Sequence, residues 1–99
     1  MALHVLALSV EVHLPECRSL KAKRAELRPV LDGLRRRHSV AAAEVGHQDS
    51  WQRAGIGVAA VGSSPAHVTD VIDEAERFIW SFPGLQVLES DRHWLELDR

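Results

Sequence analysis

Apolar side chains recur at every second position from Leu6 through Leu8, Val10 and Val12 to Leu14, and Pro15 stops the run. Leu3, Val5, Ala7, Ser9, Glu11 and His13 alternate with them. A period of two puts the first set on one face, so the segment reads as a strand with one buried side. That side needs an amphipathic cover, and the next segment supplies one. Leu20, Leu27, Val30, Leu31 and Leu34 recur at helical spacing. Ser19 is the expected N-cap of a helix that runs to about His38. Pro29 lies inside it and predicts a kink rather than a break, because the stripe keeps its phase on both sides.

The remaining elements follow by the same reasoning. Val40 to Gly46 reads as a short alanine-rich strand. Gly46 to Ser50 holds turn-forming residues, with Gly46 suited to a positive φ and Asp49 to bonding turn amides. Trp51 to Gly62 reads as a third strand, with Ala54, Ile56, Val58 and Ala60 on one face and Trp51, Arg53, Gly55, Gly57 and Ala59 on the other. Ser64 followed by Pro65 is a strong helix start. Val68, Val71, Ile72, Ala75, Ile79 and Phe82 form that helix's core stripe, with Asp70, Asp73, Glu74 and Glu76 on a solvated face. Phe78, Trp80 and, on the last strand, Trp94 read as core or subunit contacts rather than ligand stackers. Pro83-Gly84 ends the helix. A last strand spans about Leu85 to Leu97, and its alternation falters near Glu89 to Asp91, as at a bulge.

The order β-α-β-β-α-β is the ferredoxin-like plan, an α+β fold in a single domain spanning residues 1–99. Right-handed crossovers set the strands as 4-1-3-2, antiparallel between neighbours, with both helices on one face. The exit of the first strand, the start of the first helix, the Gly46–Ser50 turn and the Pro83-Gly84 turn then share one end of the sheet.

Charge is distributed unevenly over this plan. From Pro15 to Val40, Arg18, Lys21, Lys23, Arg24, Arg28, Arg35, Arg36 and Arg37 face only Glu16, Glu26 and Asp32, a net of +5. The rest of the chain carries four basic and eleven acidic residues, a net of −7. A dipolar molecule of this kind attracts a polyanion on one side only. Lys and Arg on a helix face neutralise phosphates with a salt-sensitive affinity. Arg18, Lys21 and Arg24 also stand beside the free amides of a helix N-terminus, where an anion is favoured. The alternative is a solvated face with intrahelical pairs such as Lys23 with Glu26, and with Arg35, Arg36 and Arg37 complementing the helix dipole.

Other function classes find little support. The lone Cys17 cannot pair within the chain, and the absence of a disulfide framework points to the reducing cytoplasm. Arg18 beside Cys17 is a setting that lowers a thiol pKa, but no local His–acid pair completes a nucleophilic site. No apolar run reaches the 18 residues or so that a membrane span needs. There is no Gly-rich phosphate loop, nucleophile elbow or paired catalytic carboxylate, so neither an enzyme nor a cofactor is expected. His47 and Asp49 are too few for a zinc site. With Gln48 and Arg53 they read as turn structure or as partner contacts.

The pieces Arg18-Ser19-Leu20-Lys21-Ala22-Lys23-Arg24 and Ala43-Glu44-Val45-Gly46-His47-Gln48-Asp49-Ser50-Trp51-Gln52-Arg53-Ala54 together resemble the YlxP-like family of small bacterial proteins. The resemblance extends over essentially the whole chain, including the helix start at Ser64-Pro65-Ala66-His67-Val68. It implies a ferredoxin-like fold and, through the company its genes keep, a link to translation and ribosome maturation. It implies no catalytic residues. At the Ser50 position the family more often carries a larger apolar residue.

Two functional expectations result. The first is a cytoplasmic binding protein that contacts RNA or a ribosomal particle through Arg18, Lys21, Lys23, Arg24 and Arg28, with His47, Gln48, Asp49 and Arg53 shaping the contact. The second is a protein-interaction module, a homodimer packed through the open sheet face of Leu3, Val5, Ala7, Gly55, Gly57 and Ala59. Base stacking on the sheet is not expected, because the first strand has no aromatic residue and the third has only Trp51 at its edge.

Overall fold

The computed structural model describes residues 1–95. The expected Leu97 end of the last strand lies outside the described residues. The elements are β1 (His4–His13), α1 (Leu20–Arg37), β2 (Ala41–Gly46), β3 (Arg53–Gly62), α2 (Pro65–Trp80) and β4 (Gln86–Leu95). The four strands form one antiparallel sheet in the order β2-β3-β1-β4, the reverse reading of 4-1-3-2. The fold is ferredoxin-like.

Each helix begins where its capping chemistry requires. The Ser19 hydroxyl accepts from the Ala22 amide at 3.0 Å, and the Ser64 hydroxyl from the His67 amide at 3.2 Å. Satisfying an orphan amide in this way stabilises a helix start by about 1 kcal/mol. Pro29 stands within α1, which continues as one helix to Arg37. One face of the sheet is covered. Leu6, Leu8, Val10 and Val12 of β1 pack with Ala54, Ile56, Val58 and Ala60 of β3 against Leu27, Val30 and Leu34 of α1 and Val68, Ile72, Ala75 and Ile79 of α2.

The helices approach closely at Gly33, where a Cβ would stand 2.3 Å from Cζ of Phe78. Phe78 is half-buried there, with the His38 and Phe82 rings each 5.0 Å from its own. Trp80 and Trp94 are not core residues, being 59% and 48% exposed. The acidic side of α2 is not wholly solvated either. Arg92 of β4 pairs with both Asp73 and Glu76 at 2.8 Å, and the Ser90 hydroxyl donates to Glu76. The bulge falls at Leu88, opposite the Glu11–Val12 step, just before the stretch where alternation falters.

The other sheet face is open. Val45, displaced by a second irregularity after Glu44, lies across Gly57, where a Cβ would meet Cγ1 of Val45 at 2.9 Å. A side chain at that register position would have to displace Val45, which is itself exposed.

Candidate nucleic-acid interface

Helix α1 docks through positions 20, 23, 27, 30 and 34, and one of these is a lysine. Lys23 is 1% exposed. Its ammonium donates to the carbonyls of His47 (2.9 Å), Arg53 (3.3 Å) and Gln48 (3.4 Å), and stands 2.8 Å from Glu44 Oε2. The three donors point at carbonyls, so the Glu44 contact is Coulombic: its Oε2 has no well-directed hydrogen bond. Lys23 thus fastens the β2–β3 turn to α1. It is a structural residue rather than part of a phosphate-binding surface, and it does not pair with Glu26. The signal was present in the sequence, since Lys23 lies three residues after Leu20 and four before Leu27, on the core stripe.

The other basic residues expected to bind remain outside. Arg18, Lys21, Arg24 and Arg28 are exposed. Positions 21, 24 and 28 follow one face of α1, and Arg35 continues it one to two turns on. Arg24, Arg28 and Arg35 line a groove between α1 and β2, floored by Leu27 and Leu31 and bordered by Asp32 and Glu44. Its acids are engaged already, Glu44 with Lys23 and Asp32 with Arg35 at 3.7 Å. Arg35, expected only to complement the helix dipole, reaches across to β2. Its Nε and Nη2 donate to the Ala42 carbonyl at 3.0 and 2.7 Å, covering an edge-strand acceptor.

The turn does not present all its side chains to the same side. It is closed by the Ser50 amide donating to the His47 carbonyl at 2.9 Å. The left-handed backbone belongs to His47 (φ 59°), not to Gly46. That conformation sends the imidazole to the open sheet face, where it bonds Glu11 at 2.6 Å. Arg53 bonds the other Glu11 oxygen. These two bonds, His47 first, hold the Glu11 carboxyl below its ordinary range. His47 and Arg53 therefore stand across the sheet from the α1 row, while Gln48 and Asp49 are exposed at the tip. Gln52 ties the same end together, its amide donating to the carbonyls of Pro15 (3.2 Å) and Cys17 (3.1 Å).

Cys17 is 2% exposed. Burial, followed by the charge of Glu26, pushes its thiol up rather than down. Among the described residues no three His, Cys, Asp or Glu side chains are placed to hold a metal ion, and no helix is long and apolar enough to cross a membrane.

The family described as Protein of unknown function (DUF503) matches residues 5–92. The uncharacterised protein YlxP of Bacillus subtilis (strain 168) is 37% identical over 76 residues, covering 77% of this chain and 83% of that protein. The chain belongs to the DUF503, YlxP-like family.

Proposed function

We propose that this DUF503 member is a cytoplasmic, non-enzymatic protein that binds RNA or an RNA-containing particle through α1. The observation that carries the reading is the exposed row Lys21, Arg24 and Arg28, continued by Arg35, which itself pairs with Asp32, beside a groove whose other acid, Glu44, is paired with Lys23. Guanidinium forks suit phosphate oxygens. The acidic residues cluster elsewhere, on α2 and β4, so the molecule meets a polyanion in one orientation. The translation link implied by the family resemblance points the same way.

The test is co-sedimentation of tagged protein with ribosomal particles at low and raised salt. Binding at low salt, weakened by Lys21→Glu with Arg24→Glu, is the expected result. Each phosphate contact removed lowers the log–log salt slope by about 1. Binding untouched by both reversals would overturn the assignment.

A second reading rests on a different surface. Val45, Val61 and Leu95 are 59%, 64% and 55% exposed around the small residues of the open sheet face. Apolar exposure of this kind marks partner contacts, and a second copy packed face to face covers it while leaving both α1 rows outward. Light scattering at micromolar concentration tests it, and a strict monomer removes it.

A further inference from the structure

Lys21 and Arg35 are fourteen residues apart, so their row extends about 21 Å along the helix axis. Its spacing is rigid. Leu27, Val30 and Leu34 bury the opposite side of α1, Lys23 holds the helix to the turn, and the Ala42 carbonyl holds the Arg35 guanidinium. The groove beside the row is floored by Leu27 and Leu31 and walled by charged side chains, with no aromatic ring among the described residues. The open sheet face offers none from β1 or β3. Phe78 and Phe82 pack edge to face, half-buried between the helices. Among the described residues Trp51, Trp80 and Trp94 are exposed, and none of them stands on α1 or lines its groove.

A flexible single strand must be ordered on binding. Proteins that hold one tightly recover that loss by stacking bases on aromatic side chains, at about 1–3 kcal/mol per base. A rigid cationic row without stacking platforms suits a polyanion whose phosphates are already fixed in place. Building on the nucleic-acid reading above, we infer that α1 takes double-stranded RNA, held by its phosphates and A-form shape, in preference to a single strand held by its bases.

The experiment titrates the full chain with a short blunt RNA duplex and with an oligouridylate of equal length, in one buffer at two salt concentrations. The duplex binds at least about ten-fold tighter, a difference of 1.4 kcal/mol. Arg24→Glu with Arg28→Glu removes that binding, and Trp51→Ala leaves it unchanged, all variants melting as the parent does. Equal or tighter binding of oligouridylate overturns the duplex inference alone, as does a marked loss of affinity in Trp51→Ala. Binding of neither RNA overturns the nucleic-acid reading together with it.

Discussion

Lys23 Nζ donates to the His47 carbonyl at 2.9 Å from within the core, while the same His47 turns its side chain to the far side of the sheet. One turn residue thus joins the helix layer to the open face. A buried ammonium is tolerated only when its protons and charge are all answered. Three carbonyls and the Glu44 carboxylate answer Lys23.

Replacing Lys23 by Met keeps most of the volume but takes the ammonium from Glu44 and from the carbonyls of Gln48, Arg53 and His47, of which His47 keeps the Ser50 amide. The expected loss is about 2–4 kcal/mol, below a fully buried pair because Glu44 retains some exposure. Urea unfolding of Lys23→Met and of Lys21→Met measures it. Lys21 is exposed and its replacement is expected to change stability by less than about 0.5 kcal/mol. Equal effects at the two positions would show that the clamp contributes nothing.

Much of the fold was legible because local chemistry decides it. The β1 alternation, the Ser19 cap and the Ser64-Pro65 start each act within a few residues, and the topology follows from their order. What escaped sequence reading depends on pairing between distant segments. Charge alone places Lys23 with the other cations of α1, whereas its position on the apolar stripe is the better guide. Arg92 meets Asp73 and Glu76 only because β4 lies beside α2. The positive φ lies at His47 rather than Gly46, and the bond that the His47 side chain makes there is to Glu11, a partner that only the strand pairing brings near. The α1 row is legible in part: Lys21, Arg24 and Arg28 fall outside the apolar stripe and are exposed, while the reach of Arg35 to the β2 edge requires the sheet order.

Gly33→Ala tests the helix–helix approach. Alanine is a better helix former than glycine by up to about 1 kcal/mol, so an open site would be stabilised. Here the new methyl meets Phe78 at 2.3 Å, and the ring must leave its place between His38 and Phe82. Overpacking wins, with a net loss of about 1–3 kcal/mol. Gly33→Ala combined with Phe78→Leu recovers part of it. A single variant as stable as the parent in thermal melts would refute this account of the crossing.

Arg92→Ala removes the cation that joins β4 to α2. The pair is partly exposed, and the expected loss is about 0.5–1.5 kcal/mol near neutral pH. The Ser90 hydroxyl bond and then Arg92 hold the Glu76 carboxyl below its ordinary value of 4.5. A depressed carboxylate contributes its full stability above the unfolded value and loses it as pH falls through the lower folded value. The gap between parent and variant therefore narrows on acidification below about 4.5. A gap constant with pH in denaturant titrations would assign the loss to packing of the arginine stem instead.

Glu11 offers the same linkage on the open face, with His47 as the larger cause and Arg53 as the smaller. Its folded value lies below 4.5, so its share of stability is present above that pH and disappears as the solution is acidified further. His47→Ala removes the first cause and moves the Glu11 midpoint upward, as read by carbon NMR of its carboxyl group. Arg53→Ala moves it less. Glu11→Gln abolishes this part of the acid dependence and frees the His47 side chain, while the Lys23 bonds to the turn carbonyls remain. The α1 row lies across the sheet from Glu11, so RNA affinity is expected to be unchanged in Glu11→Gln. A Glu11 midpoint unmoved by either replacement would mean that the three side chains do not meet in solution, and that the turn holds its conformation through Lys23 and its own Ser50–His47 bond.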